Sequence, residues 1–145
     1  MFKHILVATD GSTLGDKAVA YALQLGGATR ISALLVVPDY DMAGFAFATF
    51  TNGPDAQHLR EHLAAAGRKH LDAALVRHGA AAQHIERRVA VNDRPYLEIV
   101  DTAAREGCDL VVMARHGRGP VATALLGSQT ARVLTMSSVP VLVLP

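Results

Sequence analysis

The sequence predicts an α/β fold, a single-domain five-stranded parallel sheet with helices on both faces. The spacing of the apolar residues and the length of the chain predict this fold. Five short apolar runs of strand length alternate with longer segments in which apolar residues recur at helical spacing. Strands that alternate with helices are typical of a parallel sheet, because each crossover lays a helix on one face of the sheet. At 145 residues, half of them apolar, the chain can bury the core of one domain, residues 1–145.

The predicted strands are short runs rich in valine, leucine and isoleucine. They cover residues 2–9, 31–37, part of 82–91, 110–114 and a last run from Val139 to Leu144. Helices are predicted from residue 13 to a glycine stop at 26–27, over about 55–78, from 95 to a stop at 107, and over about 128–137. Thr13 and Asp16 form a plausible capping box for the first helix. The second helix has a predicted core face of Leu59, Leu63, Ala66, His70 and Ala74.

The stretch from residue 110 to residue 130 has the outline of a phosphate cradle. It begins as an apolar strand, continues through Gly117, Gly119 and Gly127, and ends with Ser128 at a predicted helix start. Glycine lets the backbone approach a ligand closely, and a helix N-terminus offers unpaired N–H groups and partial positive charge. All 13 acidic residues lie before residue 110, whereas Arg115, Arg118 and Arg132 lie after it. The stretch therefore favours an anion, although turn glycines and a serine N-cap would leave the same pattern.

Three matches, in order along the chain, resemble the universal stress protein family. Ala114-x-x-Gly117, nine further residues and Gly127-Ser128 resemble that family's nucleotide-binding motif, G-x2-G-x9-G-[ST]. Residues 5–12, ILVATDGS, resemble its first strand and turn, and residues 139–144 resemble its last strand. The resemblance covers essentially the whole chain, and its one departure is Ala114 where the motif has its first glycine.

The resemblance implies the strand order 3-2-1-4-5 and an ATP site between the turn after strand one and the glycine loop. Ala8, Asp10 and Ala114 would lie beside the ribose, and the backbone of Val36 would meet the adenine edge. The implied phosphate site comprises Gly117, Arg118, Gly127, Ser128, Gln129 and Thr130, with Thr9, Arg115, His116 and Gly119 adjoining. Magnesium or manganese, if bound, would be held mostly through phosphates and water. Asp10 has an alternative as a turn residue, and His116 as a residue that shapes the loop.

Other chemistries fit the sequence less well. No G-x4-G-K-[ST] motif is present, so a P-loop is excluded, and Gly117-x-Gly119-x-x-Ala122 lacks the downstream acidic residue of a dinucleotide site. His58 and His62 have a metal-ligand spacing on a helix but no evident third ligand, and solvated side chains are the expectation. Cys108 is expected to be a buried structural thiol. No general base is evident, so we expect no catalytic residues and at most weak ATPase activity or autophosphorylation at Ser128 or Thr130.

Composition and the resemblance together suggest partners and location. A formal net charge of +1 does not favour nucleic acid, and no apolar run approaches a membrane span, so we expect a cytoplasmic protein without a signal peptide. The resemblance implies a homodimer built through the strand from Val139 to Leu144. A loop over residues 39–54 holds three of the four phenylalanines; it could cover the nucleotide, join a partner or pack on its own subunit. A dimeric interaction protein with a vestigial nucleotide loop remains an alternative, which the Ala114 departure favours.

Overall fold

A computed structural model describes residues 1–26, 30–38, 56–116 and 126–145. The helices and strands, in chain order, are β1 (His4–Ala8), α1 (Thr13–Gly26), β2 (Arg30–Val37), α2 (Ala56–Val76), a 3₁₀ turn (Gly79–Ala82), β3 (Glu86–Val91), α3 (Pro95–Arg105), β4 (Leu110–Ala114), α4 (Ser128–Met136) and β5 (Val141–Leu144). All strand pairs in this part of the chain are parallel, and the order is β3-β2-β1-β4-β5. The predicted fold class and strand order are confirmed. Gly117, Arg118, Gly119 and the aromatic segment at 39–54 lie outside the described residues.

The two central strands are buried on both faces, which explains why they read as continuous apolar runs. Successive side chains of β1 point to opposite faces. Ile5 and Val7 enter a core layer with side chains of α1 and α2, whereas Leu6 enters a second layer with residues of α3 and α4, including Ile99 and Val133. The sheet therefore lies between two helical layers, and the carboxyl ends of its parallel strands all lie at the same end of the sheet.

The N-cap residue of helix α1 lies one position before the predicted capping box. Ser12, not Thr13, caps the helix, because its hydroxyl accepts a hydrogen bond from the N–H of Gly15 at 3.2 Å and its carbonyl accepts one from the N–H of Asp16 at 2.9 Å. The Asp16 carboxylate pairs instead with Arg77, the residue that follows α2, 2.8 Å away. The prediction of a capping box at Thr13 is wrong, and this cap ties the start of α1 to the turn that leaves β1.

A chain of ion pairs lies near the amino ends of the strands, at the opposite end of the sheet from the carboxyl ends. The guanidinium of Arg30 on β2 donates to Glu86 on β3 at 2.8 Å. Arg88 donates to Glu86 at 2.6 Å and to Glu106, which follows α3, at 2.8 Å. Nearby, the buried His4 ring contacts the Ser32 hydroxyl at 2.9 Å. This network links three elements at the end of the sheet that faces away from the cleft described below.

Candidate functional site

A cleft of about 770 Å³ lies at the carboxyl ends of β1, β2 and β4, and we call it the carboxyl-edge cleft. In open parallel sheets, ligands bind beyond this edge at the point where the strand order reverses. Here the order reverses between β1 and β4, which pair directly. The described residues that line the cleft are Ala8, Thr9, Asp10, Gly15, Leu34, Leu35, Val36, Val37, Pro38, Leu63, Ala66, Gly67, His70, Asp93, Pro95, Ile99, Met113, Ala114, His116, Gly127, Ser128, Gln129 and Thr130.

Most of the residues predicted for the site meet in this cleft. Those that line it are Ala8, Thr9, Asp10, Val36, Ala114, His116, Gly127, Ser128, Gln129 and Thr130. The two segments that carry them, the turn after β1 and the start of α4, are more than a hundred residues apart in the sequence and come together because β1 and β4 are neighbours. Gly117, Arg118 and Gly119 fall outside the described residues.

Arg115 is the one described residue of the predicted set that does not line the cleft. Its carbonyl accepts hydrogen bonds from the N–H of Gly127 at 2.8 Å and from the Thr130 hydroxyl at 3.2 Å. Its side-chain Nε is buried and has no hydrogen-bond partner within the described segments. The backbone of Arg115 therefore fixes the start of α4, and its side chain is not among the groups that line the cleft.

Asp10, in the turn after β1, lines the cleft, and one of its two carboxylate oxygens has a hydrogen-bond partner among the described residues. Oδ1 of Asp10 accepts a hydrogen bond from the N–H of Ser12 at 3.0 Å, a local Asx turn. The hydroxyl of Thr9 accepts one from the N–H of Gly11 at 3.1 Å. Oδ2 of Asp10 is buried and has no partner among the residues that the structure describes. A buried hydrogen-bond acceptor without a partner costs free energy. This oxygen is therefore suited to accept a hydrogen bond from a ligand hydroxyl or to contact a cation that binds with a ligand.

Close packing at Gly15 holds this carboxylate in place. A Cβ on Gly15 would overlap the Thr9 hydroxyl and lie 3.0 Å from Oδ1 of Asp10. The first turn of α1 therefore packs closely on the side chains of Thr9 and Asp10, and a side chain at position 15 would displace the Thr9 hydroxyl.

The opposite wall of the cleft is the N-terminus of α4. The first N–H groups of a helix have no partner within it, and the end carries partial positive charge. Ser128 is the exposed first residue of this helix. The side chains of the next two residues are committed to the protein: Oε1 of Gln129 accepts from the N–H of Tyr96 at 3.0 Å, and the buried Thr130 hydroxyl donates to the carbonyl of Ala114 at 3.1 Å. What this wall offers a ligand is backbone N–H groups and the Ser128 hydroxyl.

Gly127 lines the cleft, where a ligand could contact it, and the packing of the protein also requires a glycine at this position. A Cβ there would lie 2.8 Å from the carbonyl oxygen of Arg115, closer than real Cβ atoms come to a backbone atom. Its φ of −61° lies outside the left-handed region, so space and not backbone conformation requires the glycine. A large side chain at this position would therefore disturb the fold before it met any phosphate.

Ala114 is compatible with the conformation at its position. It is the last residue of β4 and pairs with Leu144 in β5. Among the described residues only Gly11, Gly79 and Gly107 have positive φ, so Ala114 does not adopt a conformation that favours glycine. The replacement of the motif glycine therefore introduces a methyl group at the cleft without backbone strain.

His70 and the rest of the α2 wall were not predicted as parts of the site. The sequence placed His70 on a core face with Leu59 and Ala74; those two are buried, but His70 is half-buried and lines the cleft. Its Nε2 donates to the carbonyl of Asp10 at 3.0 Å. In the sequence, the signal that could have identified His70 as a site residue is its polar side chain within an otherwise apolar helical face. Asp93, after β3, also lines the cleft and is largely exposed.

Two further predictions concern chemistry outside the cleft. In the described ranges no group of three or more metal-ligating side chains is close enough to hold an ion, and His58 and His62 belong to none. Cys108 is buried, as expected, with its Sγ 3.4 Å from Nδ1 of His4. Burial, followed by the nearby charge of Glu106, raises the pKa of this thiol to about 11. It is a structural thiol.

The fold and the cleft define the chain as a doubly wound α/β protein with its candidate site at the switch point of the sheet. The chain belongs to the universal stress protein family, because the model of that family matches residues 1–145. A universal stress protein of Thermus aquaticus is 33% identical over 98% of both chains. Universal stress protein Rv1636 of Mycobacterium tuberculosis is 31% identical over 98% of this chain and 95% of its own.

Solved structures agree with this assignment. Protein MJ0577, of Methanocaldococcus jannaschii, superimposes with a TM-score of 0.80 at 24% identity, over 99% of this chain and 96% of its own. A universal stress protein in complex with cAMP superimposes with a TM-score of 0.66 at 24% identity, over 99% of this chain and 97% of its own. At this identity both likenesses establish the fold alone. No helix in the described part of the chain has the length and apolar character to cross a membrane.

Proposed function

We propose that this protein binds an adenine nucleotide, ATP in the first place, in the carboxyl-edge cleft and regulates a stress response through that occupancy. In this proposal the phosphates lie on the first N–H groups of α4 and the Ser128 hydroxyl. The ribose hydroxyls meet Asp10, and the adenine edge meets the backbone of Val36. A divalent ion, when present, is held through the phosphates and through water. Catalysis is slow or absent, since no residue of the cleft is assigned as a base.

The observation that carries this proposal is the pairing of two unlike walls across one cleft. On one side, Oδ2 of Asp10 is a buried acceptor without a partner in the described segments, suited to a ribose hydroxyl. On the other side, a helix N-terminus with Ser128 at its first position is suited to phosphate. A nucleotide carries both a hydroxyl donor and an anion, and a cleft of about 770 Å³ is of the size that small-molecule cofactors occupy. The cAMP complex of a relative supports the adenine class of ligand.

The main alternative is a dimeric interaction protein whose nucleotide loop is vestigial. The Ala114 replacement favoured it at the sequence level. That support is weaker in the structure, because alanine fits the backbone conformation of β4 without strain. A slow ATP hydrolase or autophosphorylating protein is a second alternative. Of its two candidate acceptors, Ser128 is exposed, whereas the Thr130 hydroxyl is buried and donates to Ala114. The structure therefore favours Ser128 over Thr130 as the phosphorylation site to test.

Calorimetric titration with ATP, with and without magnesium, tests the proposal. We expect saturable one-to-one binding, and about ten- to hundredfold weaker binding by Ser128→Ala, since one hydrogen bond to an anion is lost. Ser128→Ala is a clean variant because no contact of its hydroxyl with the described residues is given up. ADP, AMP and cAMP define how many phosphates the site requires. Absence of binding at millimolar ATP for the wild-type protein would remove the proposal and favour the vestigial loop.

The same proposal includes a homodimer formed through the last strand. β5 lies at the edge of the sheet, and Val141, Leu142 and Val143 are only half-buried in the single chain. An edge strand of this kind presents backbone groups that a second copy can pair with.

A further inference from the structure

Helix α2 and the residue that directly follows it hold the turn between β1 and α1 with two side chains. His70 Nε2 donates to the carbonyl of Asp10 at 3.0 Å, and the Arg77 guanidinium donates to the carbonyl of Gly11 at 3.2 Å. Two consecutive peptide groups of the turn are therefore anchored to α2 and the residue that follows it.

His70 differs from Arg77 because it also lines the carboxyl-edge cleft. A carbonyl oxygen can only accept a hydrogen bond, so Nε2 of His70 carries the proton in this contact. The ring is also matched to the turn in shape. Gly11 has a φ of +74°, and a Cβ at that position would overlap the imidazole. Glycine at 11 and histidine at 70 thus fit together at the point where the chain bends toward the cleft.

The contact acts on Asp10, the residue that the proposed function assigns to the ribose. Oδ1 of Asp10 is bound to the N–H of Ser12, and its carbonyl is bound to His70, whereas Oδ2 has no partner among the described residues. With the backbone and one carboxylate oxygen fixed, rotation of the carboxylate is restricted, and Oδ2 is held at a buried position in a residue that lines the cleft. A preorganised acceptor binds better than one that must be ordered by the ligand.

We infer that His70 is a positioning residue of the nucleotide site, which fixes Asp10 through its carbonyl so that Oδ2 is oriented toward a bound ribose. The inference rests on the proposed function and deepens it. It adds α2 to the elements that set affinity, so that a displacement of α2 changes nucleotide binding through Asp10.

Calorimetry with ATP on four proteins tests this inference: wild type, His70→Ala, Asp10→Ala and the double variant. We expect His70→Ala to raise the Kd by about three- to tenfold, the range that corresponds to one hydrogen bond. In the Asp10→Ala background, removal of His70 should have no further effect, because there is no carboxylate left to orient. His70→Gln should restore most of the affinity, since its amide can place an N–H donor near the position of Nε2.

Two controls separate positioning from general loss of structure. His62→Ala removes an exposed imidazole from the same helix and should leave the Kd unchanged. Should His70→Ala fail to fold, His70→Leu removes the donor but keeps the volume of the side chain and serves in its place. Thermal unfolding of each variant establishes that the titrations are made on folded protein.

The outcomes are distinct for the two proposals. Wild-type protein that does not bind ATP overturns the proposed function. Wild-type protein that binds ATP, with His70→Ala or His70→Leu binding equally well, overturns the positioning role alone. Additive effects of His70→Ala and Asp10→Ala also overturn it, because they would mean that the imidazole acts on the ligand independently of Asp10.

Discussion

Gly127 and Ser128 are adjacent, but substitutions at the two residues should have different effects. Gly127→Ala places a Cβ 2.8 Å from the carbonyl oxygen of Arg115, so the start of α4 must shift. We expect a loss of about 1–3 kcal/mol in the free energy of unfolding, with or without nucleotide. Chemical denaturation measures it. Ser128→Ala is the matched control and should lose ATP affinity with little change in stability. Equal stability of Gly127→Ala and wild type would contradict the packing described here.

Cys108 gives a second prediction at the residue scale. Burial raises the pKa of its thiol from 9.0 to about 11, which leaves about a hundredfold less thiolate at pH 8 than in an exposed cysteine. Since the thiolate is the reactive form, the native protein should react with a disulfide reagent at least about a hundredfold more slowly than the same protein unfolded in urea. Similar rates in the two states would contradict the burial of Cys108.

The residues of the site were predictable where a motif names them and unpredictable where only packing places them. Ala8, Asp10 and Ser128 belong to segments with recognisable patterns, and the structure brings these segments together. His70 belongs to a helix whose register against the sheet is set by tertiary contacts. Gly67 on that helix contributes to that register, because a Cβ there would overlap Val37 and Val89. No local pattern specifies which residue of α2 then faces the cleft.

At the scale of elements, the ion pairs at the amino ends of the strands predict a specific dependence of stability on pH. Hydrogen bonding to Arg30 lowers the pKa of Glu86 from 4.5 to about 2. A carboxylate with a lowered pKa stabilises the fold above its unfolded-state pKa, and this stabilisation is lost as the pH falls from about 4.5 to about 2. Because a third of the Glu86 side chain is exposed, solvent screening limits its contribution to about 1 kcal/mol or less.

Glu86→Gln tests this dependence. At pH 7 we expect the variant to be less stable than wild type by up to about 1 kcal/mol, and the difference should vanish near pH 2 and shrink in high salt. Asp101→Asn, an exposed carboxylate on α3, is the matched control and should show no such difference. Denaturant unfolding at a series of pH values measures both. A difference between Glu86→Gln and wild type that is the same at pH 7 and pH 2 would contradict the ion-pair account.

The positions of the helices and strands could be predicted from the spacing of apolar residues, but their first and last residues could not always be predicted. The order and type of the strands and helices are confirmed because strand and helix spacing differ clearly in this sequence. β5 begins at Val141, two residues after the prediction, with Pro140 preceding it. The 3₁₀ turn Gly79–Ala82 precedes β3, and its alanines are apolar enough to read as the start of that strand. Helix caps depend on single hydrogen bonds, which is why Ser12 was missed.

In the whole molecule, the position of β5 at the edge of the described sheet predicts where a second copy would pair. The carbonyls of Pro140 and Leu144 accept hydrogen bonds from β4, so alternate residues, Val141 and Val143, direct their backbone groups away from the sheet. Proline is tolerated on an edge strand where its missing N–H would face outward. Val143→Pro should therefore prevent pairing between subunits and leave the folded monomer intact.

Sedimentation equilibrium measures this effect. We expect a dimer for the wild type and for Val143→Thr, which keeps the N–H and strand propensity, and a monomer for Val143→Pro. Circular dichroism establishes that the proline variant is folded. A dimer that persists unchanged in Val143→Pro would contradict assembly through this edge, and a monomeric wild type would contradict the dimer itself.

A crystal structure obtained with ATP and magnesium would test whether the turn after β1 and the start of α4 form one adenine nucleotide site. We expect phosphate density within hydrogen-bond distance of the N–H groups of residues 128–130 and the Ser128 hydroxyl. We also expect a ribose hydroxyl on Oδ2 of Asp10 and adenine against the backbone of Val36. ATP bound elsewhere on the protein, or an unoccupied cleft at millimolar nucleotide, would contradict this expectation.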